Sequence, residues 1–302
     1  MRIVRTGVRV MLTFLIALYA LILVLALISD RLIFLPHAPG YDLESLTALS
    51  HGAVQGYRIP CKGGALAAVY LSPSTPTAGA SGTPLPNPQA QFTLLYSHGN
   101  GEDIGDDLPV LEEFRRAGFA VFAYDYSGYG QSEGRSSEAA VYRNVEAAFD
   151  FLTGTLHVPP ERIIAFGHSL GAAAAIHLAS SRPVAGLIAQ APFVSAFRVL
   201  TRVPLLPWDK FNNARAICRV HCPVLIAQGR RDEVIPCWHS ERIYLLANPP
   251  KWQVWLDGAG HNDVMLVASR EFIAAIQSFA TAIQPGATPT KFALETIRQQ
   301  PQ

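Results

Sequence analysis

The pentad Gly167-His168-Ser169-Leu170-Gly171 carries the densest chemical information in the chain. It fits Gly-x-Ser-x-Gly and lies between an apolar run at 162–166 and a small-residue helical stretch at 172–180. A strand–turn–helix setting of this kind turns a serine into a nucleophile. The turn forces strained backbone angles on the serine, and glycine tolerates crowding where a Cβ would clash. A serine hydroxyl is a poor nucleophile near neutral pH and needs an adjacent base, which in turn needs an acid to orient it. In this arrangement the acid follows the serine along the chain and the histidine comes last.

Both partners are found in that order. An apolar strand at 223–229 ends in Gly229 and leads into Arg230-Arg231-Asp232-Glu233. Asp232 comes first after the strand and is the expected acid; Glu233 is expected to face solvent or pair with Arg230 or Arg231. A further strand at 252–256 leads into Asp257-Gly258-Ala259-Gly260-His261-Asn262-Asp263. Of the nine histidines, His261 alone has both the right order and a glycine-rich loop after a late strand. His168 is expected to point away from the serine's partner, and His177 to pack or cap behind the elbow. His37, His51, His157, His221 and His239 read as surface or core residues. Asp263 reads as an N-cap for the last helix.

A tetrahedral intermediate needs donors aimed at its oxyanion. The backbone N–H of Leu170, just after the nucleophile, is one candidate. The second should come from an early strand-to-helix loop, here a strand at 92–97 followed by His98-Gly99-Asn100-Gly101. The Asn100 N–H is the expected donor, with Gly101 as substitute.

These stretches together resemble the α/β-hydrolase-fold serine hydrolases. The likeness is to the membrane-anchored α/β-hydrolase-domain proteins that include protein depalmitoylases and their bacterial relatives. It rests on Tyr96-Ser-His-Gly-Asn100, Tyr124-Asp-Tyr-Ser-Gly-Tyr-Gly130 with Ser132 and Gly134, the elbow, 232–236 and 258–263, and spans about residues 57–279. The resemblance implies Ser169 as nucleophile, Asp232 as acid and His261 as base. The depalmitoylase members carry a lipidated N-terminal cysteine cluster; here the N-terminus is a hydrophobic helix instead.

The 302 residues, half of them hydrophobic, suffice for one large core. A net charge of +1 leaves no basic stripe to neutralise phosphates, so no nucleic-acid partner is expected. No zinc-type Cys/His spacing, dinucleotide fingerprint or Walker lysine is present, so no metal and no cofactor are indicated.

Residues 10–28 contain no charge and are dominated by Leu, Ile, Val and Ala. At ~1.5 Å per residue such a helix just spans a ~30 Å hydrocarbon core. Arg2, Arg5 and Arg9 precede it, and Asp30 and Arg31 follow. The positive-inside rule then keeps the short tail cytoplasmic and exports the domain, to the periplasm if the source is bacterial. A cleaved signal peptide is the competing reading, with Val24-Leu25-Ala26 as its cleavage site. The apolar run exceeds the usual signal length, which favours a retained single-pass anchor.

The remaining organisation reads as an anchor at 1–31, a connector at 32–53, an α/β-hydrolase domain at 54–283 and a polar tail at 284–302. Strands are expected at 54–59 and 66–71 as an antiparallel pair, then at 120–124 and 186–190, with helices at 108–117 and 138–152. The βα alternation argues for a mostly parallel sheet covered by helices on both faces. Residues 72–91, rich in Pro, Ser, Thr, Gly and Ala, read as a surface loop. Residues 192–219 are the only room for a lid. There Phe193, Phe197 and Trp208, with Leu200, Leu205, Leu206 and Pro207, form either an acyl-binding wall or buried core. Glu102, Asp103, Asp106 and Asp107 either attract a cationic substrate group or cap the following helix. Cys61, Cys218, Cys222 and Cys237 read as free thiols, although Cys222 could pair with Cys218 or Cys237 in an oxidising compartment.

Three functions remain open from the residues. The first is an anchored carboxyl-ester or thioester hydrolase acting on a small-molecule or lipid-like acyl substrate. The second is a serine aminopeptidase on the same fold, and the third a non-catalytic membrane interaction protein.

Overall fold

Apolar runs closed by glycine or polar turns set the strands of a computed structural model that describes residues 2–49, 52–74, 88–203 and 208–284. The strands are β1 (Val54–Ile59), β2 (Leu66–Leu71), β3 (Thr93–Ser97), β4 (Ala120–Tyr124), β5 (Ile163–His168), β6 (Gly186–Gln190), β7 (Val224–Gly229) and β8 (Lys251–Leu256). They form one eight-stranded sheet in the order β1-β2-β4-β3-β5-β6-β7-β8. β2 pairs antiparallel with β1 and β4, and every other pairing is parallel. Every residue of β3 to β7 is buried. A parallel sheet covered on both faces demands such continuous burial, which is why these strands read as unbroken apolar runs.

Between the strands lie α1 (Arg2–Leu27), α2 (Asp30–Ile33), α3 (Leu43–Leu49), α4 (Ile104–Arg116), α5 (Glu138–Gly154), α6 (Leu170–Ser181), α7 (Asn213–Ile217), α8 (Trp238–Leu246), α9 (Val264–Val267) and α10 (Ser269–Ala282). Two apolar clusters divide them between the faces. Val141, Val145 and Phe149 of α5, the alanines of α6 and Ile243 of α8 fill one. Leu111 and Phe114 of α4 with Phe272, Ile276 and Phe279 of α10 fill the other. The architecture is therefore the expected α/β-hydrolase fold. α4 begins four residues earlier than its apolar spacing suggests, because Asp103 caps it. The Asp103 carboxylate accepts from the Gly105 and Asp106 N–H groups, and Asp106 reaches back to the Asp103 N–H.

Among its described residues, the lid segment 192–219 holds a single 3-10 turn, Phe197–Val199, and the short α7. Leu205, Leu206 and Pro207 fall outside the described residues, as do 75–87 of the surface loop and the tail beyond Gln284. All four cysteines are free thiols.

Helix α1 carries the apolar span Thr6–Leu25, with a mean hydropathy of 2.6 and no part buried against the domain. The connector that follows is pinned along its length. The Ile33 carbonyl accepts from Asn100 Nδ2 at 2.6 Å, and the Leu35 N–H donates to Asn100 Oδ1 at 3.2 Å and to the Tyr129 hydroxyl at 3.0 Å. The Gly40 N–H donates to Asp103, and the Tyr41 hydroxyl donates to Asp125. Phe34 is buried edge-on against Phe211, while Lys210 pairs with Asp30 at 2.7 Å.

Phe272 is fully buried between Phe114 and Phe166, at centroid distances of 6.4 and 6.2 Å. Phe272→Ala should lower unfolding stability by about 3–5 kcal/mol, the usual loss for a buried aromatic ring. Urea denaturation of the detergent-solubilised protein measures it.

Candidate active site

The parallel register brings three loops to the C-terminal edge of the sheet. β5 ends in the elbow, and Ser169 takes φ 54° and ψ −111°, a left-handed conformation rare for a side-chain-bearing residue. Its N–H donates to the Gln190 carbonyl at 2.9 Å, and its carbonyl accepts from the Ala172 N–H at 3.0 Å. A Cβ on Gly167 would overlap the Gly171 carbonyl, and one on Gly171 would overlap the Ser97 carbonyl. The two glycines of the motif are therefore required by packing. β7 and β8 pair up to Gly229 opposite Leu256, so the loops leaving them start side by side. The Arg231 N–H donates to the Ala259 carbonyl at 2.8 Å, joining the two loops directly.

These loops bring Ser169, Asp232 and His261 together. His261 Nδ1 lies 2.7 Å from Asp232 Oδ2, and His261 Nε2 lies 3.0 Å from Ser169 Oγ. With Nδ1 protonated and donating to Asp232, Nε2 is left to accept the serine proton. Asp232 Oδ1 accepts from the Val234 and Ile235 N–H groups at 2.9 and 2.7 Å. Burial raises the Asp232 pKa, but the His261 hydrogen bond and charge, the Ile235 N–H and the Gln228 amide outweigh it. The net shift is downward, so the carboxylate stays ionised beside the imidazole. Glu233 is exposed, as expected. Arg230 instead pairs with Asp257 at 2.6 Å.

Leu170 opens α6 directly after Ser169. Among the described residues, neither the Leu170 nor the Asn100 backbone N–H makes a hydrogen bond, so both donors are open. The Asn100 side chain is fully engaged with the connector and with the Tyr129 hydroxyl, which donates to it at 2.6 Å. Of the expected acyl wall, Phe193 is 5% exposed and packs edge-on against Phe211 in the core. Phe197 is half-buried, while Trp208 is 41% exposed.

Two expectations need correction. His168 does not point away from the base. Its ring lies 5.0 Å from that of His261, held between the His261 carbonyl and Glu102, acceptors that the chain brings from distant segments. Asp263 stands at the N-cap position of α9 but makes no cap there. Its carboxylate accepts from the Gly260 N–H at 2.6 Å and closes the base loop instead. Gln228 escaped the sequence reading. It is buried, donates to Asp232 Oδ2 at 2.8 Å and accepts from Ser240 Oγ. A polar residue inside the apolar run of β7 was the available signal.

His37, Asp103 and Asp106 place potential ligand atoms within 4.8 Å of one another. Asp103 already spends both oxygens on the N–H groups of Gly40, Gly105 and Asp106, so this group works as a helix cap.

The fold and the site define an α/β-hydrolase, and comparison with known proteins agrees. The family described as "Serine aminopeptidase, S33" matches residues 88–210. The Caenorhabditis elegans alpha/beta hydrolase domain-containing protein aho-3 is 40% identical over 202 residues, 65% of this chain and 59% of that protein. Human alpha/beta hydrolase domain-containing protein 17B is 34% identical over 198 residues, 65% of this chain and 68% of its own length. The chain thus spans less than two thirds of the nematode relative. The Pyrococcus furiosus esterase Pf2001 superposes with a TM-score of 0.63 at 17% identity, covering 82% of this chain and 95% of that one. That likeness is one of fold. The chain belongs to the α/β-hydrolase family and is a serine hydrolase, similar to the alpha/beta hydrolase domain-containing 17 proteins.

Asp232→Asn should keep the fold but present the wrong tautomer of the base, with turnover falling by about ten-thousandfold. Glu233→Gln should turn over like the parent. Steady-state hydrolysis of a p-nitrophenyl ester by the two variants separates these assignments.

Proposed function

We propose that this chain is a membrane-anchored hydrolase of carboxylic ester or thioester bonds, acting through Ser169, His261 and Asp232. The observation that carries the reading is the continuous path from Asp232 through His261 to Ser169, at 2.7 and 3.0 Å. His261 takes the Ser169 proton as Oγ attacks the acyl carbon. Asp232 orients the imidazole and stabilises its cation. The Leu170 and Asn100 N–H groups receive the developing oxyanion. His261 then returns the proton to the departing alcohol or thiol, leaving an acyl-serine. A water molecule, deprotonated by His261, attacks that ester and releases the acid.

An aminopeptidase would need a free carboxylate near the site for the substrate's ammonium group. The acidic cluster supplies no exposed, uncommitted carboxylate: Glu102, Asp103 and Asp106 each accept from backbone N–H groups, and Asp107, whose Oδ2 has no hydrogen-bond partner among the described residues, is buried. Asp103 and Asp106 form the cap box of α4, and Asp106 also meets His37 at 3.0 Å. Glu102 accepts from the Gly99 N–H and faces His168, while Asp107 is buried, with its pKa pushed up to about 8 by burial and the Glu102 charge. This supports an uncharged acyl substrate. The apolar span Thr6–Leu25 supports a single-pass anchor. With arginines at its N-terminal side, the tail would stay in the cytoplasm and the domain would be exported, to the periplasm in a bacterium.

Ser169→Ala should cut turnover by on the order of a millionfold, as in dissected triads. Activity equal to the parent would remove Ser169 from the mechanism. A panel of p-nitrophenyl esters of graded length, acyl thioesters and aminoacyl amides tests the substrate class. Esters or thioesters should be cleaved and aminoacyl amides spared; the reverse pattern would establish the peptidase. In spheroplasts of a bacterial host, added protease should digest the domain if it is exported and leave it intact if it faces the cytoplasm.

A further inference from the structure

His168, the variable residue inside the elbow, has hydrogen-bond acceptors at both ring nitrogens. Nδ1 lies 3.4 Å from Glu102 Oε2, and Nε2 lies 3.2 Å from the His261 carbonyl oxygen. A backbone carbonyl has no proton to give. Glu102 Oε2 also accepts from the Gly99 N–H at 2.7 Å, a bond that favours the ionised carboxylate, which can only accept from His168. A neutral imidazole carries only one N–H, whereas the imidazolium carries two. The His168 side chain is 8% exposed, so water does not readily supply an alternative partner.

We propose that His168 is a buried imidazolium, paired with Glu102, that positions the base loop by holding the His261 carbonyl. It is a positioning residue for the reaction proposed above and rests on that reading. Through it, one ion pair ties together three loops: the oxyanion loop at Gly99, the elbow at His168 and the base loop at His261. The packing agrees. A Cβ on Gly99 would sit 2.5 Å from Glu102 Oε2 and 3.0 Å from His168 Nδ1, so glycine is needed there to make room for the pair.

The charged groups around His168 come from each element packed on it. Glu102 and Asp107 face it from the start of α4, with His98 and the Tyr96 phenol close to those carboxyls. His261 faces it from the base loop, with Asp232 behind. Burial disfavours the His168 cation. The Glu102 hydrogen bond and charge, the Asp107 charge and the His261 carbonyl more than compensate, and the pKa is raised. Glu102 moves the other way, to about 2: burial raises it, and its hydrogen bond to His168, the His168 charge and the Gly99 N–H together outweigh burial. The sign follows directly. A histidine with a raised folded pKa keeps its charge below that value and loses it as pH climbs past it. One hold on the base loop is then released, giving an alkaline decline in activity.

The test is the pH profile of kcat/KM for an acyl ester, with the full chain in detergent. The parent, Glu102→Gln and His168→Gln are compared, and fluorophosphonate labelling of Ser169 runs alongside. In Glu102→Gln the alkaline limb should move down by about one to three pH units, the scale of a lost opposite charge. In His168→Gln, which keeps a donor for the His261 carbonyl but cannot titrate, that limb should disappear. Alkaline limbs matching the parent in both variants would overturn the proposal. Nitrogen-15 histidine spectra of the parent give a reading independent of variant folding. One slowly exchanging histidine ring with both nitrogens protonated at pH 8 supports the imidazolium, and single protonation of every buried ring refutes it. A parent that fails to label with fluorophosphonate while showing that doubly protonated ring would refute the hydrolase reading and leave the ion pair standing.

Discussion

Everything at the reactive end of this molecule depends on the backbone of one residue. Ser169 is held at φ 54° between two glycines whose missing side chains let the elbow close against β3 and α6. A residue in that conformation costs of order 1–3 kcal/mol and persists only where its surroundings over-determine it. Here they do. The strand before it is buried throughout, the helix after it is packed with alanine on one apolar cluster, and the Gln190 carbonyl fixes its N–H. The strain lifts Oγ clear of the sheet edge and leaves the Leu170 N–H unsatisfied beside it. The fold thereby meets two chemical requirements with a single turn.

The partners of Ser169 are placed by sheet register rather than by local sequence. Asp232 and His261 are far apart along the chain, yet the parallel pairing of β7 with β8 starts their loops at neighbouring positions. From there polar side chains bend each loop to its final shape. Gln228 and two backbone N–H groups fix the Asp232 carboxylate, and Asp263 closes the turn that presents His261. The acidic stretch 102–107 is divided the same way. One carboxylate caps a helix, one completes the cap box, one faces a histidine, and one is buried with its pKa pushed up.

Much of this was legible in the residues. Strands with period-free apolar runs, the elbow and its glycines, and the order serine–acid–histidine all announce themselves locally. Capping was one of two readings open for the acidic cluster 102–107, and the structure gives that role to Asp103 and Asp106. What was not legible depends on contacts between distant segments. His168 was expected to turn away, because nothing in its neighbourhood reveals that residues 66 positions earlier and 93 later supply its acceptors. Asp263 looks like a cap because it precedes a helix, and only the folded loop shows Gly260 competing for its carboxylate. Phe193 reads equally well as acyl wall or core until the Phe211 contact is seen. Gln228 stood out as a polar residue in an apolar strand, but its partners Asp232 and Ser240 are set only by the fold.

The connector after α1 gives the oxyanion loop a second, mechanical role. Asn100 grips the chain leaving the apolar helix at Ile33 and Leu35, and the same residue offers its main-chain N–H toward the site. In the membrane-anchored form proposed above, a displacement of that helix would reach the oxyanion loop through Asn100, beside the other contacts of the connector. Phe34 packs against Phe211 and Asp30 pairs with Lys210, so the same segment is also fastened to residues 210–211. In that anchored form, these contacts would set how the cleft is presented to a bilayer.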